Sequence, residues 1–195
     1  PNVMFVFLES FSLELTNLDP KNPYPNLTPN LVDFARHSMF VENFYNSATP
    51  TFNALKSTFC SVLVTTDSET WFKNKGEFTH YNCLPRMLKA NGYSSTYILQ
   101  VERAYLNMGD ALQNFGFGKV YTSETIRHVL HEEPLSWGYS DHQIFNFLVG
   151  RLKAGEFRQP FLVGTENIDS HPPFTLCRDC LKYGDGQNLV LNTLH

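Results

Sequence analysis

The sequence predicts an α/β fold, a mostly parallel sheet with helices on both faces. Three observations carry this. Short runs of β-branched and aromatic residues alternate with segments of helical periodicity, the order that lays strands parallel and packs helices over them. The first run, Val3 to Leu8, is almost continuously apolar, as in strands buried on both faces. Polar residues collect just past three of the runs: at Glu9, in the turn to Thr51, and in the stretch ending at His171. Ligands of open α/β sheets bind beyond the carboxyl ends of the strands, so these three belong on one edge.

Composition sets the bounds. The chain has 195 residues, enough for one domain with a sizeable core. Its 42% hydrophobic and 14% aromatic content is that of a globular chain, not a disordered one. A net charge of -4 leaves no basic footprint, which excludes a nucleic-acid role. No apolar run approaches the roughly 20 residues that span a bilayer. The chain opens directly on a strand without a signal peptide, as expected of a domain cut from something longer.

Four cysteines, Cys60, Cys83, Cys177 and Cys180, permit two disulfides and suit an extracytoplasmic protein; their pairing stays open. Cys177-Arg-Asp-Cys180 is a single C-x-x-C. Structural zinc sites use two such pairs or added His, so it reads as a local disulfide or two thiols. Cys60 falls in an apolar helical stretch and reads as a core residue.

Val3 to Leu8 is the first strand. Asp19 to Pro29, with four prolines, is a loop. Thr28-Pro29 then offers a cap and a proline at the first helical position. Leu31, Phe34, Ala35 and Met39 place an amphipathic helix over residues 29–38. Phe40 to Tyr45 reads as a short second strand, followed by a hydroxyl-rich turn. A second helix opens near Thr51 or Phe52, with Leu55, Phe59, Val62 and Leu63 as its apolar stripe. Residues 64–80 are a polar surface excursion.

Leu84 to Ala90 is helical and stops at Asn91-Gly92. Tyr93 to Leu99 is a strand. Gly109 to Phe115 is a short helix closed by Gly116, and Val120-Tyr121 a brief strand. Glu132 to Pro134 and Trp137-Gly138 mark a loop. Ser140 or Asp141 caps a helix carrying Ile144, Phe145, Leu148 and Leu152 on one face. After a turn at Gly155 to Gln159, Phe161 to Thr165 is a buried strand that runs out into Glu166-Asn-Ile-Asp-Ser-His171.

By position alone, Glu9 is either a solvated loop carboxylate or a ligand. A hydroxyl at a helix N-terminus either caps the helix or acts as a nucleophile, where free N–H groups and the positive dipole end favour an incoming phosphate or sulfate. Thr51 holds that position, with Ser47 and Thr49 nearby.

Four motifs in order resemble the alkaline phosphatase/sulfatase superfamily, and more closely its lipoteichoic acid synthase and phosphoglycerol transferase branch. Asn2 to Ser12 resembles that branch's opening strand and metal-binding Glu. Thr28-Pro-Asn-Leu31 with Phe40 to Tyr45 resembles the first crossover. Asn91-Gly-Tyr93 followed by Phe115-Gly-Phe117 resembles the next βα unit. Ser170-His-Pro-Pro-Phe174 resembles the branch's substrate-binding His motif.

The resemblance implies roles. Glu9 would bind a divalent cation (manganese first, with magnesium or zinc as alternatives). Thr51 would be both a ligand of that metal and the nucleophile, phosphorylated in a covalent intermediate. His171 would hold the phosphate or head group. The implied reaction moves a phosphorylated head group, of phosphoglycerol or phosphoethanolamine type, from a phospholipid donor to an envelope glycan or lipid acceptor. It would take place in the periplasm or at the outer face of the membrane, with the membrane reached through segments outside this chain. The alternatives are a phosphodiesterase or phosphatase, a sulfuric-ester hydrolase, or a non-catalytic ligand-binding ectodomain.

There are departures from the family pattern. Thr49-Pro-Thr-Phe-Asn53 lacks the Cys and Arg of a sulfatase C/S-x-P-S-R motif, which disfavours sulfatase chemistry. Tyr105-Leu-Asn-Met108 lacks the Trp and Arg that contact glycerol phosphate in phosphoglycerol transferases. Arg103 and Lys56 are the candidate phosphate-binding cations. The family's later Asp-His metal pair has no counterpart before His195, and Asp141-His142 reads as a cap and helix surface. The 195 residues are therefore expected to be the N-terminal part of a single catalytic domain.

Overall fold

The computed structural model describes residues 1–63, 81–135, 137–176 and 180–195. The surface excursion expected over residues 64–80 and Cys177 of the C-x-x-C pair lie outside the described residues. Among the described residues, four parallel strands form one sheet in the order β1-β4-β2-β3: β1 Val3–Phe7, β2 Ser94–Ile98, β3 Lys119–Tyr121 and β4 Phe161–Glu166. The helices are α1 Pro29–Arg36, α2 Thr51–Cys60, α3 Leu84–Ala90, α4 Met108–Phe115, α5 Ser123–Leu130, α6 Asp141–Lys153 and α7 Leu189–Leu194.

The pleat of the central strands divides the core into two layers, because successive side chains point to opposite faces. Tyr97, Leu99 and Leu162 join Phe52, Leu55 and Phe59 of α2 and Leu112 and Phe115 of α4. Ile98 and Val163, one residue along in each strand, join Ile126 of α5 and Ile144, Phe147 and Leu148 of α6. The helices therefore cover both faces, as the alternation of elements predicts. Gly164 is part of this packing. A Cβ there would lie 2.6 Å from Cδ2 of Tyr97, so the missing side chain is what lets the Tyr97 ring lie across β4.

β1 departs from the expectation of burial on both faces. Val3, Phe5 and Phe7 pack against the first layer, but Met4, Val6 and Leu8 are 42%, 44% and 44% exposed. The cause is topological: β1 is the end strand, with β4 as its neighbour, and no described helix covers its second face. Phe40 to Tyr45 is not a strand. Its aromatic residues are exposed and no sheet edge meets them, a case of β-propensity without a partner to realise it. The amphipathic spacing of α1 is real, yet none of its residues is buried. α2 stops at Cys60, where Ser61 turns left-handed (φ 53°), and Leu63 is left exposed beyond it.

Cys60 is buried, but it is more than a core residue. It is disulfide-bonded to Cys83 and ties the end of α2 to the N-cap of α3. Cys180 is disulfide-bonded as well. Two helices lack a counterpart in the sequence reading. Thr122 caps α5, and its N–H donates to the Thr125 hydroxyl oxygen. Asn188 caps α7 by accepting from the Leu191 N–H. Leu191 and Leu194 of α7 form a third apolar cluster with Leu27.

Candidate active site at the carboxyl edge of the sheet

β1 and β4 run side by side and end together, with Phe7 opposite Glu166. Glu9 lies two residues past the end of β1. Thr51 is the first residue of α2, with Pro50 as its N-cap. The Thr51 hydroxyl donates to Glu9 Oε2 at 2.7 Å. Of the three hydroxyl residues in the turn, this one reaches the carboxylate. Ser47 Oγ instead pairs with Ser57 Oγ at 2.8 Å. The start of α2 also places its positive dipole end beside Thr51.

His171 lies on the loop after β4. The Pro172 carbonyl is 2.7 Å from its Nδ1, and a carbonyl only accepts, so Nδ1 carries a proton and Nε2 is left for a ligand. The imidazole lies against Trp137 (centroids 4.2 Å apart, planes at 36°), and Tyr105 meets Trp137 edge-on at 5.7 Å. A small cleft opens among Trp137, Ile168, Asp169, His171 and Pro173. Gly138 lets the Trp137 loop dock there, since a Cβ would lie 2.7 Å from the Gln100 carbonyl oxygen.

Three residues beside Glu9 carry no role of their own from the sequence. Glu166 ends β4 as Glu9 follows β1, so a carboxylate closing an apolar run was the available signal. It is buried and accepts from the Tyr97 hydroxyl at 3.0 Å. Burial pushes its pKa up to about 7; the Tyr97 hydrogen bond opposes the rise and the negative Glu9 adds to it. Asn167 and Ser170 are buried beside Glu9 and bond to its backbone. Nothing in residue type marks these two.

Asp141 corrects the reading of Asp141-His142 as cap and surface. Ser140 is the N-cap. Asp141 turns toward the loop before His171, and its Oδ1 accepts from the Ile168 N–H at 2.7 Å and from Gln100 Nε2 at 3.1 Å. In return, Asp169 Oδ2 accepts from the Asp141 N–H at 3.2 Å. Burial, then the nearby Asp141 charge, push Asp169 up to about 7. His142 does lie on the helix surface, 2.9 Å from Asn146. The two candidate phosphate-binding cations are otherwise engaged. Arg103 is held by Asp110 at 2.8 Å and by Gln113, and Lys56 is fully buried with Nζ 4.7 Å from the Tyr81 ring centre.

The sulfatase family model matches residues 1–190. The chain belongs to the sulfatase family. Solved structures agree on its fold. An alkaline phosphatase superfamily protein from Vibrio parahaemolyticus superposes with a TM-score of 0.83 at 19% identity, over 99% of this chain and 46% of that one. The lipoteichoic acid synthase LtaP from Listeria monocytogenes gives 0.76 at 20% identity, over 99% and 48%. The C-terminal periplasmic domain of EcEptC from Escherichia coli gives 0.65 at 16% identity, over 99% and 54%. A further structure of that domain is a complex with zinc. No curated protein matches significantly. The chain spans about half the length of these structures. No helix among the described residues is long and apolar enough to cross a membrane.

Glu9 and Thr51 fit a divalent cation in kind. Both offer hard oxygen donors, close enough to share one ion, and Glu166 adds a second carboxylate near Glu9. Among the described residues, no three or more His, Cys, Asp or Glu side chains gather at one point.

Proposed function

We propose that this sulfatase-family chain carries the nucleophile half of a metal-dependent phosphotransferase site. On this reading the enzyme moves a phosphorylated head group from a phospholipid to an envelope glycan or lipid. The observation that carries it is the 2.7 Å contact between the Thr51 hydroxyl, at the head of a helix, and the Glu9 carboxylate. Glu9 and Thr51 would hold a manganese or magnesium ion, zinc being the alternative, together with donors beyond these two. When bound, the ion supplies positive charge that acidifies a bound hydroxyl and neutralises the transferring phosphoryl group.

The chain's own residues do the rest. The contact with Glu9 aims the Thr51 oxygen, and the N-terminus of α2 offers N–H groups to phosphate oxygens. Thr51 Oγ attacks phosphorus, its bond to phosphorus forms as the lipid P–O bond breaks, and the hydroxyl proton leaves with the lipid alcohol. The acceptor hydroxyl then displaces Thr51, which regains a proton. Such a double displacement gives ping-pong kinetics. His171, its Nδ1 occupied, turns Nε2 to the phosphate or head group. An oxidising compartment outside the cytoplasm is supported by the Cys60–Cys83 disulfide.

The test is to trap the phosphoenzyme in the full-length protein with a radiolabelled phospholipid. Label should be retained on the wild type and on Thr49→Ala, and absent from Thr51→Ala. Label lost in Thr49→Ala and kept in Thr51→Ala would overturn the assignment.

A further inference from the structure

Glu9 lies beyond the end of the β1–β4 ladder, so no neighbouring strand fixes its main chain by regular pairing. The loop after β4 does so instead. The Asn167 N–H donates to the Phe7 carbonyl at 3.1 Å. The side chains then close a ring. The Glu9 N–H donates to Asn167 Oδ1 at 2.5 Å, Asn167 Nδ2 donates to Ser170 Oγ at 2.7 Å, and the Ser170 hydroxyl donates to the Glu9 carbonyl at 2.6 Å. Both polar groups of the Glu9 main chain are thereby held by one loop. Asn167 and Ser170 are 3% and 2% exposed, so water does not compete for these bonds.

The ring leaves little ambiguity of orientation. The amide oxygen must face the N–H, which puts the Asn167 NH₂ against Ser170. Having accepted that bond, the Ser170 hydroxyl has its hydrogen free for the Glu9 carbonyl. With both ends of the Glu9 residue fixed, its carboxylate is presented to Thr51 from a set position.

We propose that Asn167 and Ser170 are positioning residues for cation binding, holding the main chain of Glu9 so that its carboxylate and the Thr51 hydroxyl address one ion. This rests on the reading of Glu9 and Thr51 as metal ligands. Groups that orient a ligand typically contribute 10–100-fold to metal affinity. The same ring ties the cation site to the His171 loop, since Ser170 is the residue before His171.

The experiment is a calorimetric Mn²⁺ titration of the full-length protein, run on wild type, Asn167→Ala, Ser170→Ala, Glu9→Gln, and each Ala change in the Glu9→Gln background. The proposal expects each Ala change to weaken Mn²⁺ binding by about 10–100-fold. In the Glu9→Gln background it expects almost no further loss, because the two residues act through the Glu9 carboxylate. Wild-type affinity in both Ala variants would overturn it. So would an equal loss in the Glu9→Gln background, which would mean a general loosening of the fold. A wild type that does not bind Mn²⁺ sinks the metal reading itself, and this proposal with it. If Asn167→Ala does not fold, Ser170→Ala, which deletes a single oxygen, carries the comparison.

Discussion

The Thr51 hydroxyl donates to Glu9 Oε2 across a sequence separation of 42 residues, joining the head of α2 to the end of β1. Removing it leaves the apolar packing of α2 in place, because Phe52, Leu55 and Phe59 hold the helix to the core. On the nucleophile role proposed for it, Thr51→Ala is expected to cost at least about a thousandfold in transfer rate, while the intact packing keeps the change in stability below about 1 kcal/mol. Steady-state kinetics on the full-length protein and urea denaturation check the two halves separately.

Gly164 and Tyr97 make a second prediction. A methyl group at position 164 would sit 2.6 Å from the Tyr97 ring, in the first layer of the core. Gly164→Ala is expected to destabilise the protein by roughly 1–3 kcal/mol through overpacking. The same displacement moves the Tyr97 hydroxyl away from Glu166. Chemical denaturation gives the first effect, and a shift in tyrosine near-ultraviolet circular dichroism reports the second.

Stability should fall as pH rises through the weakly acidic range. Burial raises Glu166 and Asp169 to about 7, whereas the unfolded chain titrates both near pH 4. Between these values the folded protein keeps protons that the unfolded chain releases. Their stabilising contribution is thus full below about pH 4 and lost as pH rises through about 7. In chelator-treated protein, Glu166→Gln is expected to flatten the profile and to gain roughly 2–3 kcal/mol at pH 8. Urea titrations at a series of pH values measure this; an unchanged slope would remove Glu166 as the cause.

The Cys60–Cys83 bridge closes a sequence separation of 23 residues. Loops of this length cost the unfolded chain about 3 kcal/mol of entropy. The double change Cys60→Ser with Cys83→Ser should lower unfolding free energy by about that amount. A reducing agent should do the same to the wild type and have less effect on the double variant.

Much of the architecture was legible because its signals are local. The apolar runs and helical spacings placed β1, β2, β4, α2, α4 and α6 close to their observed limits, and the hydroxyl after Pro50 located the start of α2. What local pattern does not encode is strand order. From Val3 to Leu8 alone, a strand at the sheet's end looks like one in its middle, so the exposure of Met4, Val6 and Leu8 was unreadable. Phe40 to Tyr45 failed for the same reason, since strand-forming residues need an edge to meet. Glu9 and Thr51 could be singled out by type and position. Asn167, Ser170 and Asp141 could not, because their part in the site depends on hydrogen bonds between segments far apart in sequence.

The exposed apolar face of β1 has a consequence for folding accuracy. A strand with one wet and one dry face normally resists slipping, because a shift of one residue would bury its polar side. β1 lacks that safeguard: Met4, Val6 and Leu8 are as apolar as Val3, Phe5 and Phe7. Sliding it by one residue costs little hydrophobic energy, yet it would turn Glu9 away from Thr51. The task of choosing the right alignment falls to features that cannot slide with it. These are the Phe59 ring of α2, which the Phe5 and Phe7 rings meet edge-on, and the Asn167 side chain at the strand's far end. A misaligned β1 would leave a folded sheet without the contact between Thr51 and Glu9.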